Sequence, residues 1–221
     1  MPVKSLDMLT ATRVRELLEP FGLALTSRQL SQLRTYLDLL VRWNQKINLT
    51  AIRTPEECVT RHFGESLYLA RWAELEGTLL DIGSGAGFPG LALKIVFPQL
   101  STTLLEPVAK KRAFLKEAAR ACAMESVEVR AERWEDFIRQ NPSRAFDNST
   151  VRAVGRLARL VPDVARCLKP RGRLFLWLTR EQAGGLPQNQ RLIDWGSPIP
   201  LPLSRQREIW VGSRSQIASS G

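Results

Sequence analysis

The sequence is poor in the residues that form disulfide frameworks, metal centres and hydrolytic triads. Its 221 residues include three cysteines, an odd number spread far apart, at Cys58, Cys122 and Cys167. This spacing fits small buried hydrophobic residues better than paired disulfides or a zinc site. The only histidine is His62, which gives little support to a histidine-based metal centre or a serine hydrolase triad. We therefore expect no bound metal.

Long apolar runs are missing as well. No run reaches the roughly 20 residues that a membrane-spanning helix needs, and the first residues carry charges where a signal peptide would be apolar. Apolar residues nevertheless make up 44% of the chain, which is enough to bury a substantial core. The length suits one α/β domain with an extension better than two full domains. We expect a cytoplasmic monomer without a membrane partner.

Acidic residues are outnumbered, and the formal net charge is +10. Of the 32 basic residues, 25 are arginine, whose guanidinium groups bind phosphate and guanine edges in pairs of hydrogen bonds. One short cluster is Lys110, Lys111 and Arg112, and eight basic residues lie between Arg152 and Arg180. Such an excess is typical of a nucleic-acid partner. A solvated basic surface is the alternative that charge alone leaves open.

Residues 1–76 show the pattern of helices. Leu30, Leu33, Leu37 and Leu40 recur at three- and four-residue spacing, as on an amphipathic helix, and Ser27 is the predicted cap at its start. A second helix is predicted from 54 to 72. Because no glycine-rich linker follows, we expect residues 1–76 to form a helical cap that packs on a main domain of residues 77–221.

From residue 78 onward, short apolar runs alternate with helical segments, which is typical of a mostly parallel sheet with helices on both faces. The predicted strands are 78–82, 102–105, 127–130, 146–154, 174–178 and 209–211. The predicted helices are 91–96, 109–121 and a segment that ends near residue 168. A turn is predicted at 169–172, and the stretch 184–202 is predicted to be irregular.

The segment from Asp81 to Gly90 is the most informative part of the chain. Gly83, Gly85 and Gly87 follow a buried strand at alternate positions, which lets the backbone turn sharply and approach a ligand closely. Ligands of parallel sheets bind where the strands reach their carboxyl ends. The sequence therefore predicts a ligand site at this turn.

Two ligand classes fit the glycine pattern. Gly85 to Gly90 matches the dinucleotide pattern G-x-G-x-x-G, and Glu106 follows at about the distance where a dehydrogenase places its ribose-binding acid. Asp81 favours the other class, because a carboxylate before the turn would repel a pyrophosphate and suit the ammonium group of S-adenosylmethionine. We interpret the site as that of an S-adenosylmethionine-dependent methyltransferase, in which Glu106 accepts hydrogen bonds from the ribose hydroxyls. A nicotinamide dehydrogenase is the alternative.

Several further motifs resemble the RsmG family, also called glucose-inhibited division protein B. These proteins are methyltransferases that act on guanine N7 of 16S ribosomal RNA in the small subunit. The matching motifs cover roughly residues 40–180. They are Asn48 to Arg53, Arg61-His62, Glu65-Ser66-Leu67, Asp81 to Gly90, Leu104-Leu105-Glu106, Lys111-Arg112, Phe114-Leu115, Arg130-Ala131-Glu132 and Val151 to Val154.

The resemblance implies a class I methyltransferase fold with a Rossmann-like, seven-stranded sheet and an N-terminal helical extension. It also implies roles for individual residues. Gly83 and Phe88 would line the cofactor, and Ala131 and Glu132 would lie along its adenine. Three arginines would lie around the site: Arg152 at its mouth, where it would contact the cofactor or the substrate and is counted among the cofactor-binding residues, Arg130 on the same rim, and Arg207 in the place of a late family arginine.

The chemistry of guanine N7 makes a modest demand on the protein. The N7 lone pair is free at neutral pH, so we expect no general base. Most of the rate enhancement would come from alignment of N7 with the methyl group and the sulfur of the cofactor. Arg130 and Arg152 would act by orientation and charge placement, or, as the alternative, would form salt bridges with Glu132 or Glu106. The expected RNA-binding residues are Lys110, Lys111, Arg112, Arg180 and Arg207.

The chain departs from the family pattern on the substrate side. No lysine closes the fifth strand, where Trp177 to Arg180 stand, the usual aspartate before Ser66 is Glu65, and Gly212-Ser213-Arg214 replaces an expected lysine. Four other hypotheses therefore stay open. The enzyme could act on a different RNA, on a protein or on a small molecule, or the chain could be a catalytically inactive RNA-binding relative.

Overall fold

The computed structural model describes residues 9–152, 155–186 and 192–215. The last two residues of the predicted fourth strand, Ala153 and Val154, lie outside these ranges, as does part of the segment predicted to be irregular.

The chain begins with two helices joined by a 3-10 turn at Glu19–Phe21. They are α1, Ala11–Leu18, and α2, Ser27–Asn44. The predicted apolar stripe of α2 is confirmed, because all four of its leucines are buried. The predicted cap is wrong by one residue: Thr26, not Ser27, caps the helix, and its hydroxyl and the Gln29 side chain bond each other's backbone N–H.

The second predicted helix is one helical run with a wide turn in the middle. It comprises α3, Pro55–Glu57, a π-helical turn at Cys58–Gly64, α4, Glu65–Leu67, and a 3-10 turn at Tyr68–Arg71. Thr54 caps its start. The π-helical turn inserts an extra residue into the helix, a feature frequent at functional sites.

The described residues contain an eight-stranded sheet with the order β3-β2-β1-β4-β5-β8-β6, and β7 pairs with β8. The first five strands are parallel, and β8 runs antiparallel to β5, β6 and β7. The seven-stranded sheet that the family resemblance implies is thus present with one two-residue strand, β7, in addition. The strands are β1 Thr78–Ile82, β2 Ser101–Leu105, β3 Val127–Arg130, β4 Phe146–Arg152, β5 Leu168–Thr179, β6 Ile193–Trp195, β7 Ile199–Pro200 and β8 Arg207–Arg214.

Helices cover both faces of the sheet, as predicted. They are α5 Gly90–Val96, α6 Ala109–Ala121, α7 Trp134–Gln140, α8 Leu157–Cys167 and α9 Arg180–Ala183. Adjacent strand residues point to opposite faces. Leu104 accordingly packs in a core with α2, α5 and α6, whereas Leu105 packs in a second core with α7 and α8. A third core joins Leu79 of β1 to Phe175 of β5 and Ile209 of β8.

The predicted turn at 169–172 is wrong, because these residues lie within β5. Arg171 has a left-handed backbone with φ 62°, and the pairing of β5 with β4 shifts register between Phe146 and Asn148. The turn residues therefore kink the strand without ending it. The stretch predicted to be irregular, 184–202, contains the short strands β6 and β7.

The N-terminal helices share a core with the sheet domain. Tyr36 of α2 and Phe63 of the π-helical turn lie in the same buried cluster as Phe88 and Phe114. The three cysteines are free and buried, as predicted. Among the described helices, none has the length and apolar character to span a membrane.

Candidate functional site

A cleft of about 300 Å³ opens where the parallel strands reach their carboxyl ends, the edge at which such sheets bind ligands. Of the residues predicted to bind the cofactor, Gly83 and Glu132 line this cleft. The full lining is Ile82, Gly83, Leu105, Pro107, Glu132, Arg133, Trp134, Glu135, Gly155 and Arg156.

The glycine turn that follows β1 depends on its glycines at two positions for different reasons. At Gly87, φ is +88°, and a Cβ there would lie 2.0 Å from the Tyr36 hydroxyl oxygen and 2.9 Å from the Leu91 Cβ. At Gly85, φ is +55°, but the nearest atom to a Cβ is 3.8 Å away. Gly87 is therefore packed against α2, and Gly85 leaves space for a ligand.

Asp81 lies beneath the turn and does not line the cleft. It is fully buried, and one carboxylate oxygen accepts a hydrogen bond of 2.7 Å from the Thr150 hydroxyl. The other oxygen has no partner among the described residues and lies against Gly90. Burial raises the pKa of this carboxyl to about 6. The structure thus places Asp81 out of contact with the cleft, so that any effect on a ligand there would be electrostatic.

Glu106, directly after β2, ties the turn to the neighbouring strand. Its Oε2 accepts a 2.9 Å hydrogen bond from the Gly85 N–H, and its Oε1 accepts one of 2.8 Å from the Val108 N–H. A carboxylate has about four acceptor positions, so each oxygen retains a lone pair for a ligand hydroxyl.

The donor set of this edge fits S-adenosylmethionine better than a dinucleotide. Asp81 and Glu106 lie under the turn, whereas in the cleft lining two glutamates stand beside two arginines, Arg133 and Arg156. The two buried carboxylates under the turn would oppose a pyrophosphate, whereas a sulfonium amino acid carries positive charge and no phosphate. The open space over Gly85 admits the ligand.

The end of β3 carries a tight ion-pair group. Arg130 donates to Glu132 and, at 3.0 Å, to Glu128, so the salt bridge considered as an alternative for this arginine is present. The hydrogen bond from Arg130 is the main reason why the pKa of Glu132 falls to about 2. Ala131 between them is exposed. The Arg130 guanidinium is thus held at the rim by two carboxylates.

Arg152, the last residue of β4, has a different partner from those considered. Its Nη2 donates to the Glu65 Oε2 at 2.7 Å and to the Arg61 carbonyl at 2.8 Å. The predicted alternative of a bridge to Glu132 or Glu106 is therefore wrong for this arginine. Burial lowers the pKa of the Arg152 guanidinium, which stays charged because arginine does not lose its proton in proteins.

Glu65 joins Arg152 to Arg207, the first residue of β8. Its Oε1 accepts hydrogen bonds of 3.0 and 2.7 Å from the Nε and Nη2 of Arg207. The Glu65 side chain is 2% exposed. From the sequence Glu65 is identified only as a motif residue. The same helical run also contains Glu56, Glu57 and Arg61, so no local signal distinguishes Glu65 as the acid with a buried partner.

Aromatic stacking attaches the glycine turn to the N-terminal helices. The Phe88 ring stacks on His62, with centroids 4.6 Å apart, and on Tyr36, at 5.4 Å. The Tyr36 hydroxyl also donates to the Ala86 carbonyl at 2.6 Å. Phe88, expected to line the cofactor, is 6% exposed and lies within this core. Tyr36 and His62 were not predicted as part of the site.

His62 is held as a neutral imidazole. Its Nε2 is 2.8 Å from the Thr50 hydroxyl, and its Nδ1 is buried without a partner among the described residues. Burial, together with the charges of Arg152 and Arg61, lowers the pKa of His62 to about 3. The ring therefore carries no charge at neutral pH.

The predicted RNA-binding residues lie on the rim of the same edge. Lys110 and Arg180 are exposed, and Lys111 is half-buried. Arg112 donates to the carbonyls of Glu106 and Pro107, so it also supports the turn. In the parts of the chain that the structure describes, no group of three or more histidine, cysteine, aspartate or glutamate side chains could hold a metal ion.

This strand order, with a glycine turn after the first strand and an acid after the second, defines a class I methyltransferase. The fold is similar to that of TrmN from Thermus thermophilus, with a TM-score of 0.53 and 15% identity over 71% of this chain and 53% of that one. It is also similar to a ribosomal protein L11 methylase from Lactobacillus delbrueckii subsp. bulgaricus, with a TM-score of 0.56 and 13% identity over 71% and 79%.

The family model described as rRNA small subunit methyltransferase G, GidB, matches residues 29–196. A protein named ribosomal RNA small subunit methyltransferase G from Xanthomonas campestris pv. campestris (strain B100) is 40% identical over 80% of this chain and 82% of its own length. One with the same name from Chloroflexus aggregans is 39% identical over 78% and 74%. The chain belongs to this family, so it is a methyltransferase whose methyl donor is S-adenosylmethionine.

Proposed function

We propose that this chain transfers a methyl group from S-adenosylmethionine to N7 of a guanine in 16S ribosomal RNA of the small subunit. The observation that carries the proposal is the position of two partly buried arginines, Arg152 and Arg207, at the same sheet edge as the cofactor cleft. Family membership and the net charge of +10 support the same substrate.

The cofactor, when bound, supplies an electrophilic methyl group on sulfur. In this proposal Gly83, Gly85 and Gly87 shape the backbone around it, and Glu106 accepts hydrogen bonds from its ribose. Ala131 and Glu132 lie along the adenine, Phe88 holds the turn in place through its stacked core, and Asp81 contributes negative charge beneath the ammonium group. The cleft lining by Gly83 and Glu132, the hydrogen bond between Glu106 and Gly85, and the burial of Asp81 and Phe88 support these roles. The role of Ala131 rests on the family resemblance.

The substrate side has to align a guanine without blocking its N7. Guanidinium groups donate well to guanine O6 and to phosphate, and both arginines keep N–H groups that no described residue accepts. A cation aimed at N7 itself would oppose the positive charge that develops there on methylation. We therefore assign Arg152 and Arg207 to O6 or a flanking phosphate, and Arg130 to the rim beside the adenine.

The exposed cations extend this surface to RNA phosphates. Lys110, Lys111 and Arg112 follow β2, and Arg180 follows β5, so they flank the cleft on two sides. Contacts of this kind make the affinity for RNA fall steeply with salt concentration.

We further propose that the chain is a cytoplasmic monomer, and that residues 1–76 are a cap on a methyltransferase domain of residues 77–221. The shared core of Tyr36, Phe63 and Phe88 supports the cap.

The test is transfer of labelled methyl groups to unmethylated small-subunit RNA, free or in particles, followed by mapping of N7-methylguanine. Arg152→Ala should reduce the rate by about 100-fold or more, because misplaced reactants lose most of the benefit of alignment. Its affinity for S-adenosylmethionine should change little. The matched control is Arg120→Ala, which removes an exposed arginine paired with Glu117 at the far end of α6.

Three results would contradict the proposal. Label on a protein or a small molecule would move the substrate elsewhere. Binding of the cofactor without any transfer would favour an inactive RNA-binding relative. An unchanged rate in Arg152→Ala would remove this arginine from the site.

A further inference from the structure

We propose that Glu65 is a positioning residue, which fixes the guanidinium groups of Arg152 and Arg207 in the orientation that aligns the target guanine. The inference rests on the proposed function, because it concerns the same substrate side. Glu65 belongs to the N-terminal helical segment, whereas the two arginines end β4 and begin β8. The proposal gives the helical segment a part in catalysis.

Both oxygens of the Glu65 carboxylate are used, and each serves one arginine. Oε2 accepts from Arg152 at 2.7 Å, and Oε1 accepts from two nitrogens of Arg207 at 3.0 and 2.7 Å. Charge-assisted hydrogen bonds of this length are roughly twice as strong as neutral ones. With the glutamate side chain 2% exposed, water competes little for these bonds.

The glutamate itself is fixed by its surroundings. The indole N–H of Trp177, in β5, donates to the Glu65 carbonyl at 2.8 Å, and the neighbouring Ser66 is fully buried. Trp177 lies in register with Arg152 on one side and Ile209 on the other. Three strands thus converge on Glu65 of the helical segment: β4 and β8 at its carboxylate, and β5 at its backbone carbonyl.

The arrangement leaves part of each arginine for a ligand. A guanidinium has five N–H donors. Glu65 takes one nitrogen of Arg152 and two of Arg207. The Arg61 carbonyl and the Ser66 hydroxyl also accept from Arg152, which leaves at least two N–H groups of each arginine that no described residue accepts. The Arg152 and Arg207 side chains are 17% and 30% exposed. Two cations against one buried anion leave a net positive charge that faces the substrate, as a guanine O6 or a phosphate requires.

Removal of the negative charge should separate binding from catalysis. Without Glu65 the two guanidinium groups repel each other and lose their common anchor, so the guanine is no longer aligned. The site becomes more positive, however, so attraction to RNA should persist or increase. A merely structural role would instead weaken the fold and the affinity for the cofactor.

The experiment compares Glu65→Gln, Glu65→Asp and the control Glu57→Gln in the full chain. Glu57 forms an exposed pair with Arg61 in the same helical run, so its loss tests the general effect of a missing carboxylate. Measurements are kcat and KM for small-subunit RNA, the Kd for S-adenosylmethionine, and the NMR signal of the Arg207 Nε–H.

For Glu65→Gln we expect kcat to fall by about 100-fold, with KM for RNA unchanged or lower and the cofactor Kd within about 3-fold. Glu65→Asp should recover part of kcat, because a shorter carboxylate can still reach one arginine. Glu57→Gln should match the wild type. The Arg207 Nε–H signal, protected in the wild type, should be lost in Glu65→Gln.

A folded Glu65→Gln with near-normal kcat, or one whose lost activity follows from lost cofactor binding, would overturn the proposal. If this variant does not fold, Arg207→Lys serves instead, since it keeps the charge and breaks the paired contact. Arg207→Lys should lower kcat by about 10-fold. A normal kcat in this variant would also overturn the proposal. A wild type that methylates no small-subunit RNA would contradict the proposed function, and the NMR signal alone would then decide whether Glu65 positions the arginines.

Discussion

The ligand edge of the sheet has two halves that are built by different means. The cofactor half is the glycine turn Gly83–Gly87 with Glu106, which the backbone shapes, and the bond between Gly85 and Glu106 joins residues 21 positions apart. The arginine half is Arg152 and Arg207 around Glu65, which side chains shape. Its bonds join residues 87 and 142 positions apart.

The difference shows how each half holds its shape. The turn depends on backbone conformations that few residues adopt, such as φ +88° at Gly87, so it has little tolerance for substitution. The arginine half depends on ion pairs in a buried environment, which tolerate a change of side chain better than a loss of charge. We expect backbone changes to harm folding and cofactor binding, and charge changes to harm the rate.

The largest effect is expected at the turn. Gly87→Ala should destabilise the protein by about 3 kcal/mol or more, because it adds backbone strain to a contact that cannot be made without displacing Tyr36. Gly85→Ala is the control, because its φ of +55° lies in the left-handed helical region and an added Cβ meets open space, and it should lose only about 1 kcal/mol of stability. Chemical denaturation measures both. Equal stability of the two variants would contradict the description of the cofactor half, because the turn would then not depend on its packing against α2.

His62 lies between the two halves, stacked on Phe88 and close to the charge of Arg152. Its pKa is about 3 in the folded protein and about 6.5 in an unfolded chain. Below pH 6.5 the unfolded chain therefore binds the proton first. The stability that the neutral ring provides is present above pH 6.5 and is lost as pH falls towards 3, by at most about 1.4 kcal/mol per pH unit.

Because His62 is the only histidine in the chain, its NMR titration measures this directly. We expect no change of its ring signals between pH 5 and 8, and a midpoint near 6.5 would contradict the prediction. Asp81, with a pKa raised to about 6, acts in the opposite sense, so stability falls as pH rises from about 4 to 6. The contribution of His62 to stability is therefore obtained by comparing how the free energy of unfolding depends on pH in the wild type and in His62→Gln.

The smallest effect is expected for Tyr36→Phe. It removes the hydrogen bond to the Ala86 carbonyl but keeps the ring that stacks on Phe88, and should lower the free energy of unfolding by about 1 kcal/mol. Tyr68→Phe, at the only other tyrosine, is the control. The variant also sharpens the test at Gly87, because the hydroxyl is the nearest atom to the added Cβ. Tyr36→Phe with Gly87→Ala should lose less stability than the sum of the two changes, and strict additivity would contradict the described contact.

Features that depend on neighbouring residues could be predicted from the sequence. The bounds of β1, β3 and α6 agree with the predictions because local periodicity determines them. The cap of α2 was misplaced between two adjacent hydroxyl residues, although Gln29, three positions after Thr26, was the distinguishing signal. The kink in β5 has the composition of a turn, and only its pairing with β4 shows that the strand continues.

The partners in the arginine half could not be predicted in this way. Nothing in the sequence near Arg152 indicates Glu65, since the topology of three strands and a helical segment brings them together. Arg130, by contrast, pairs with Glu128 and Glu132, each two positions away in the chain. The pairing with Glu132 was among the predicted alternatives, and the pairing with Glu128 was not. Sequence separation is thus what limited the prediction of each contact.

The antiparallel direction of β8 has a consequence for how the substrate mouth can change. The neighbouring strand β5 reaches the ligand edge where it ends, whereas β8 starts there, with Arg207 preceded by the partly exposed connection from Pro202 to Gln206. An insertion in this connection would enlarge the rim beside the arginines while every parallel strand kept its register. Chains of this architecture can therefore acquire new target selectivity at a hairpin, with the cofactor machinery left untouched.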